Sequence, residues 1–167
     1  MLTSVTVATD ARQERTLSVG MGQALAGDRQ TQLTAIVGSC IAVVLWHPRM
    51  NLGAMAHVVL PDSHGKSETP GKFADTAVPH LVRMLESKGC NRSGLTAKLA
   101  GGACMFRGGG PLQIGDDNIA ACRTHLQRMG IPIAAEDLGG TSGRKVTMDF
   151  ATGRFTIEIA GKVAMVL

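Results

Sequence analysis

The chain has no tyrosine and one tryptophan, and aromatic residues make up 3% of its 167 positions. Proteins that hold RNA or single-stranded DNA stack bases on aromatic rings, so the sequence is poorly supplied for that role. It also lacks a dense basic run. Its 17 Lys and Arg against 13 Asp and Glu give a formal net charge of +4, thinly spread, with Arg144-Lys145 and Arg12 with Arg15 as typical groupings. That balance leans mildly towards acidic partners on an otherwise solvated surface. No apolar stretch reaches membrane-spanning length; the run from Ile41 to Trp46 is stopped by His47-Pro48-Arg49. No basic flank followed by an apolar core opens the chain, so no secretory signal is expected. The four cysteines, Cys40, Cys90, Cys104 and Cys122, form no CxxC pair and no metal-ligand spacing with histidine. Reduced thiols in a cytoplasm are the expectation, with no metal and no cofactor. Gly108-Gly109-Gly110 is not followed by the Lys-Ser/Thr of a P-loop, so nucleotide binding has no support.

What remains is ordinary globular material. Apolar residues make up 44% and charged residues 18%, and the length suits one domain with a sizeable core. Strand-like segments fall at 17–20, 33–37, 41–46, 53–60, 96–101, 131–136, 145–150, 154–159 and 162–167. Between 73 and 88 the apolar positions Phe73, Ala77, Val78, Leu81, Val82 and Leu85 have helical spacing, closed by Lys88 and Gly89. A second helix is predicted from Asp117 to Met129, striped by Ile119, Cys122, Leu126 and Met129, capped by Asp116 or Asp117 and ended by Gly130. Ala151-Thr152-Gly153 reads as a hairpin turn. Two helices against many strands predict an α/β or an α+β fold, which the pattern does not separate: a single-domain layered sandwich. Residues 1–16 read as an N-terminal leader, open to disorder, and 17–167 as the domain. Two glycine-rich stretches, Ser63 to Gly71 and Arg107 to Pro111, are expected as mobile surface loops near the site.

The most informative feature is Gly38-Ser39-Cys40, set between the apolar runs Leu33–Val37 and Ile41–Trp46. Small residues at such a break allow a tight turn and close approach of another backbone. Seventeen residues after the cysteine, His57 lies in a third apolar run, Gly53 to Leu60. A thiol and an imidazole at the ends of core strands are the minimum parts of a thiol hydrolase. On spacing alone the plainer reading also stands: a cysteine acting as a small hydrophobe and a hydrogen-bonded core histidine.

The segments Thr34 to Val43 and Gly53 to Pro61 together resemble the CheD family of chemoreceptor glutamine deamidases. Later segments match as well: Phe73 to Ala77, Gly101 to Phe106, Ile114 to Asn118, and Glu136 to Gly140 with Gly143-Arg144. Their number, order and spacing make the resemblance specific. It implies a layered α/β fold, Cys40 as nucleophile, His57 as its base and Thr34 as the third member of the site. It further implies glutamine side chains in the cytoplasmic region of chemotaxis receptors as substrate, hydrolysis of receptor glutamate methyl esters, and a CheC-type phosphatase as partner. No nucleic acid and no membrane insertion are expected. On spacing alone Thr34 is an ordinary β-branched strand residue, while strand parity, which puts it on one face with Ile36, lends slight support to a site role. Backbone N–H groups near Ser39-Cys40 are the expected oxyanion donors. Glu136 and Asp137 are expected to serve structure or partner contacts. The rival reading from another class is a non-catalytic module that binds receptor or phosphatase. A thiol hydrolase of small amides is the third.

Overall fold

The computed structural model describes residues 14–66, 68–105 and 113–167. Among the described residues, ten strands form two mixed five-stranded sheets. The first has the order β1 (Arg15–Ser18), β3 (Thr31–Val37), β8 (Arg144–Asp149), β9 (Phe155–Ile159), β10 (Lys162–Val166). The second has the order β2 (Ala24–Gly27), β5 (Leu52–Val58), β4 (Ile41–His47), β6 (Thr96–Gly101), β7 (Ile133–Leu138). β1 runs parallel to β3 and β6 parallel to β7, while the other pairs are antiparallel. The two main helices are α1 (Ala74–Glu86) and α2 (Ile114–Arg128). The result is a single-domain α/β sandwich, the class that the family resemblance implied and one of the two that the sequence pattern left open.

Hydrophobic patterning explains the layering. β3 alternates, with Leu33, Ala35 and Val37 buried and Ile36 76% exposed, so the first sheet has one dry and one wet face. β4 is buried on both faces. Its Ala42 and Val44 pack with Met55, Phe150 and Phe155 between the sheets. Its Ile41, Val43 and Leu45 pack with Val78, Leu81 and Leu126 of the helices. The helices therefore cover the far face of the second sheet. The fully buried rings of Phe150 and Phe155 each contribute about 1.5–3 kcal/mol of burial free energy. No described helix is long and apolar enough to cross a membrane.

Every expected strand is present within about two residues at each end, and β6 falls on its predicted span. β2 was not expected, because Ala24–Gly27 is short and poor in strand-forming residues. α2 begins at Ile114, with Gln113 as its cap, so Asp116 and Asp117 lie inside the first turn instead of capping it. There they still face the positive end of the helix dipole. Gly130 follows the helix with φ +69°, and residues 151–153 turn between β8 and β9 as read. In the stretch from Ser63 to Gly71, Ser63 is buried and bonded to Asp75. Arg107 to Pro111 lies outside the described residues, as does most of the span read as leader.

Candidate active site

Two chain segments cross from the first sheet to the second at the same end of the sandwich. Residues 38–40 link β3 to β4, and residues 19–23 link β1 to β2. Backbone bonds fasten both crossings. Val19 N–H donates to the Thr34 carbonyl (2.8 Å), His57 N–H to Gln23 (3.0 Å), and Gly22 N–H to His57 (2.9 Å). On the other side, Gly102 N–H donates to the Cys40 carbonyl (2.9 Å) and Ala103 N–H to Gly38 (2.8 Å). Gly101 makes this contact feasible. Its φ is +120°, and a Cβ there would lie 2.0 Å from the Cys40 carbonyl oxygen.

The β4–β5 register places Ala42 opposite His57 and Ile41 opposite Val58. Cys40 precedes Ala42 by two residues, so its side chain falls on the face that Ala42 and His57 share. Diagonal neighbours across strands lie about 7–8 Å apart, within reach of long side chains. Cys40 is half-buried and packs against the core between the sheets, and His57 is 4% exposed. The structure therefore brings the two residues to one face.

The ring of His57 is fixed by Nδ1, 3.1 Å from the Val19 carbonyl oxygen. A carbonyl only accepts, so Nδ1 carries the hydrogen and the neutral ring keeps its lone pair on Nε2. Burial pushes the Cys40 thiol above its ordinary pKa, an effect partly offset by the residue's own backbone N–H, which favours the thiolate. Left to itself the thiol stays protonated at neutral pH, so it needs a base beside it.

Thr34 lies on the opposite face of its strand from Leu33, Ala35 and Val37. Its hydroxyl donates to the Val146 carbonyl (2.8 Å) and accepts from Thr147 (3.4 Å). Its link to His57 runs through backbone: its carbonyl accepts from Val19 N–H, and the Val19 carbonyl holds the imidazole.

Three contributors escaped the sequence reading. The Val19 carbonyl leaves no trace in sequence, because every residue has one. Asn118 of α2, fully buried, donates from Nδ2 to the Ser39 carbonyl (3.1 Å) and the Val59 carbonyl (3.0 Å). Its signal was present: a polar residue four positions before Cys122, on the buried helix stripe. Arg144, 5% exposed, grips Asp137 through carbonyl and carboxylate (2.8 Å each), together with the carbonyls of Gly139 and Ser142. The loop it gathers receives the Cys104 N–H at Gly140 and donates Gly139 N–H to Gly101. Asp137 thus serves loop structure, and Glu136 pairs with Arg123. The remaining histidines lie elsewhere: His47 at the far end of β4, His64 on the surface beside Asp62, His80 and His125 on the helices.

A family model described as CheD chemotactic sensory transduction matches residues 59–159. A chemoreceptor glutamine deamidase CheD of Thermotoga maritima is 46% identical over 129 residues, covering 77% of this chain and 82% of that one. Probable chemoreceptor glutamine deamidases of Methanococcus vannielii and Symbiobacterium thermophilum are 38% and 43% identical. They cover 88% and 87% of this chain, and 97% and 93% of their own lengths. Among solved structures, a Bacillus licheniformis hypothetical protein, YfiH, aligns with TM-score 0.44 at 16% identity, over 81% of this chain and 62% of that one.

Proposed function

The chain belongs to the CheD family, and we propose that it converts glutamine side chains of chemotaxis receptors to glutamate through a thioester on Cys40. The observation that carries the mechanism is the placement of Cys40 and His57 on one sheet face, with His57 Nδ1 committed to Val19.

A carboxamide is a poor electrophile, and ammonia leaves badly. His57 Nε2 takes the Cys40 proton, and the thiolate adds to the side-chain carbonyl carbon. The carbonyl electrons move onto oxygen, which needs N–H donors. Collapse of the adduct breaks the C–N bond, and the imidazolium returns its proton to the departing nitrogen. Water, deprotonated by the same Nε2, then attacks the thioester and releases glutamate and the thiol. Throughout, the Val19 carbonyl holds the ring in one tautomer and orientation. It lacks the full charge of a carboxylate, so it stabilises imidazolium less than the aspartate of a Ser-His-Asp triad. Thr34 supports that carbonyl through the backbone of Val19.

A glutamate methyl ester would pass through the same acyl intermediate, with methanol leaving in place of ammonia. The substrate region of the receptors, and hence the enzyme's working compartment, is the cytoplasm. A CheC-type phosphatase is the proposed partner. Ammonia release from purified receptor fragments, together with trapping of an acyl-Cys40 adduct by hydroxylamine, tests the mechanism. Receptor binding without ammonia release would instead identify a non-catalytic module.

A further inference from the structure

We infer that Asn118 is a positioning residue of this site: through the Ser39 carbonyl it turns the Cys40 N–H towards the side of the sheet on which the Cys40 thiol lies, where that N–H binds the oxyanion of the tetrahedral adduct. The inference rests on Cys40 being the nucleophile.

Asn118 is fully buried on the face of α2 that meets the second sheet, four residues before Cys122. Both of its partners are carbonyls, so the side-chain nitrogen must face them. Its Oδ1 is buried with no partner among the described residues. An apolar side chain of similar size would avoid that penalty, so packing explains the amide poorly and its two N–H bonds explain it well. One bond holds the turn before Cys40. The other holds Val59, two residues past His57. A single NH2 group thereby ties the nucleophile's turn to the histidine's strand.

The direction of the Cys40 N–H follows from peptide geometry. α2 lies on the helix side of the second sheet, so the Ser39 carbonyl that reaches Asn118 points to that side. In a trans peptide the carbonyl and the following N–H point in opposite directions. The Cys40 N–H is thus aimed at the other side, where the Cys40 side chain packs against the core between the sheets. The influence of this N–H on the thiol, favouring thiolate, agrees with that aim. Addition of sulfur to a carbonyl carbon puts the negative oxygen beside the nucleophile's own residue, within reach of this donor.

The test separates the oxyanion from the nucleophile. Asn118→Leu keeps approximate volume and deletes both bonds. Loss of an oxyanion donor costs about 10²–10³ in kcat, so misdirecting this one is expected to lower kcat by about tenfold or more. KM should stay within about twofold, because the adduct and not the bound ground state is affected. Alkylation of Cys40 by iodoacetamide forms no oxyanion, so its rate against pH should match the parent protein. A folded Asn118→Leu variant with parental kcat overturns the inference, and so does a parallel fall in turnover and alkylation. If the variant does not fold, the parent protein decides. A receptor peptide carrying a glutamine-derived aldehyde adds to Cys40, with S–C bond formation and proton transfer to oxygen. The Cys40 amide proton should then move downfield in the NMR spectrum; a stationary signal in the adduct overturns the inference. Retained turnover in Cys40→Ala would instead refute the nucleophile assignment itself.

Discussion

Nδ1 of His57 donates to the carbonyl oxygen of Val19 across 3.1 Å, and this bond ties a histidine of one sheet to the chain leaving the other. A backbone acceptor cannot be deleted by substitution, so the pair is probed from its other members.

Cys40→Ala and His57→Ala should each abolish receptor deamidation, read by mass shift, because groups that act as a unit are lost together. The thermal midpoint of Cys40→Ala should stay near that of the parent. Thr34→Ala should keep measurable turnover and lose about 1 kcal/mol of stability, since its hydroxyl serves Val146 and its carbonyl, which supports Val19, survives. A Thr34→Ala protein as inactive as Cys40→Ala, with normal folding, would place the hydroxyl in the chemistry.

Gly101→Ala should be far more damaging than Gly139→Ala. Both glycines have positive φ, so both variants carry backbone strain. Only at Gly101 does the added carbon meet the Cys40 carbonyl; at Gly139 it meets open space. Gly101→Ala should therefore lose turnover even at temperatures where circular dichroism shows it folded. Equal loss in the two variants would mean that strain alone matters.

The pH dependence of stability should carry a signature of Cys122. Burial pushes this thiol up to about 12, from 9.0. Below 9.0 it is neutral in both states and its full contribution to stability is present. Above that value the unfolded thiol ionises while the folded one does not, so stability falls by about 1.4 kcal/mol per pH unit until the folded value is reached. Urea titrations between about pH 8.5 and 10.5 should show a shallower decline in Cys122→Ala than in the parent. That variant should also start lower, by the cost of its cavity. Parallel declines would reject the buried thiol as the source.

Free glutamine should be a poor substrate beside a folded receptor fragment. A site for the free amino acid needs fixed charges for its α-amino and α-carboxylate groups. Among the described residues, the segments that carry Cys40, His57 and their backbone partners are Val19, Thr34, Gly38 to Cys40, His57 and Gly101 to Ala103; they hold no charged side chain besides the imidazole, and the nearby Arg144 is paired with Asp137. Such surroundings suit an uncharged carboxamide stem, with selectivity coming from the protein surface around it. Comparable kcat/KM for both substrates would favour a small-amide hydrolase.

Most of the layered fold was legible because hydrophobic periodicity reports burial directly. Leu33, Ala35 and Val37 alternate in β3, and Val78, Leu81 and Leu85 repeat in α1. β2 was not legible, because its pairing with β5 rests on backbone bonds that Ala24–Gly27 does not advertise. The cysteine and histidine were singled out by their chemistry and by family resemblance, and the structure brings the two to one sheet face. Val19 was invisible because its contribution is a carbonyl; Asn118 announced itself as a polar residue on the buried stripe of α2, but its partners, 79 and 59 residues away in sequence, did not. The start of α2 was misjudged for a local reason: its acidic residues act on the dipole from within the first turn.

The two crossings have a mechanical consequence. Cys40, the proposed nucleophile, hangs from one and the acceptor for the His57 imidazole from the other, so the alignment of the proposed pair is set by how the two sheets are seated on each other. Phe150, Phe155 and Met55 fill the space that fixes that seating. The interior of the sandwich thus works as a spacer gauge for the proposed catalytic pair. Hydrostatic pressure, which squeezes such interiors without touching the surface chemistry, becomes a way to detune the enzyme while it remains folded.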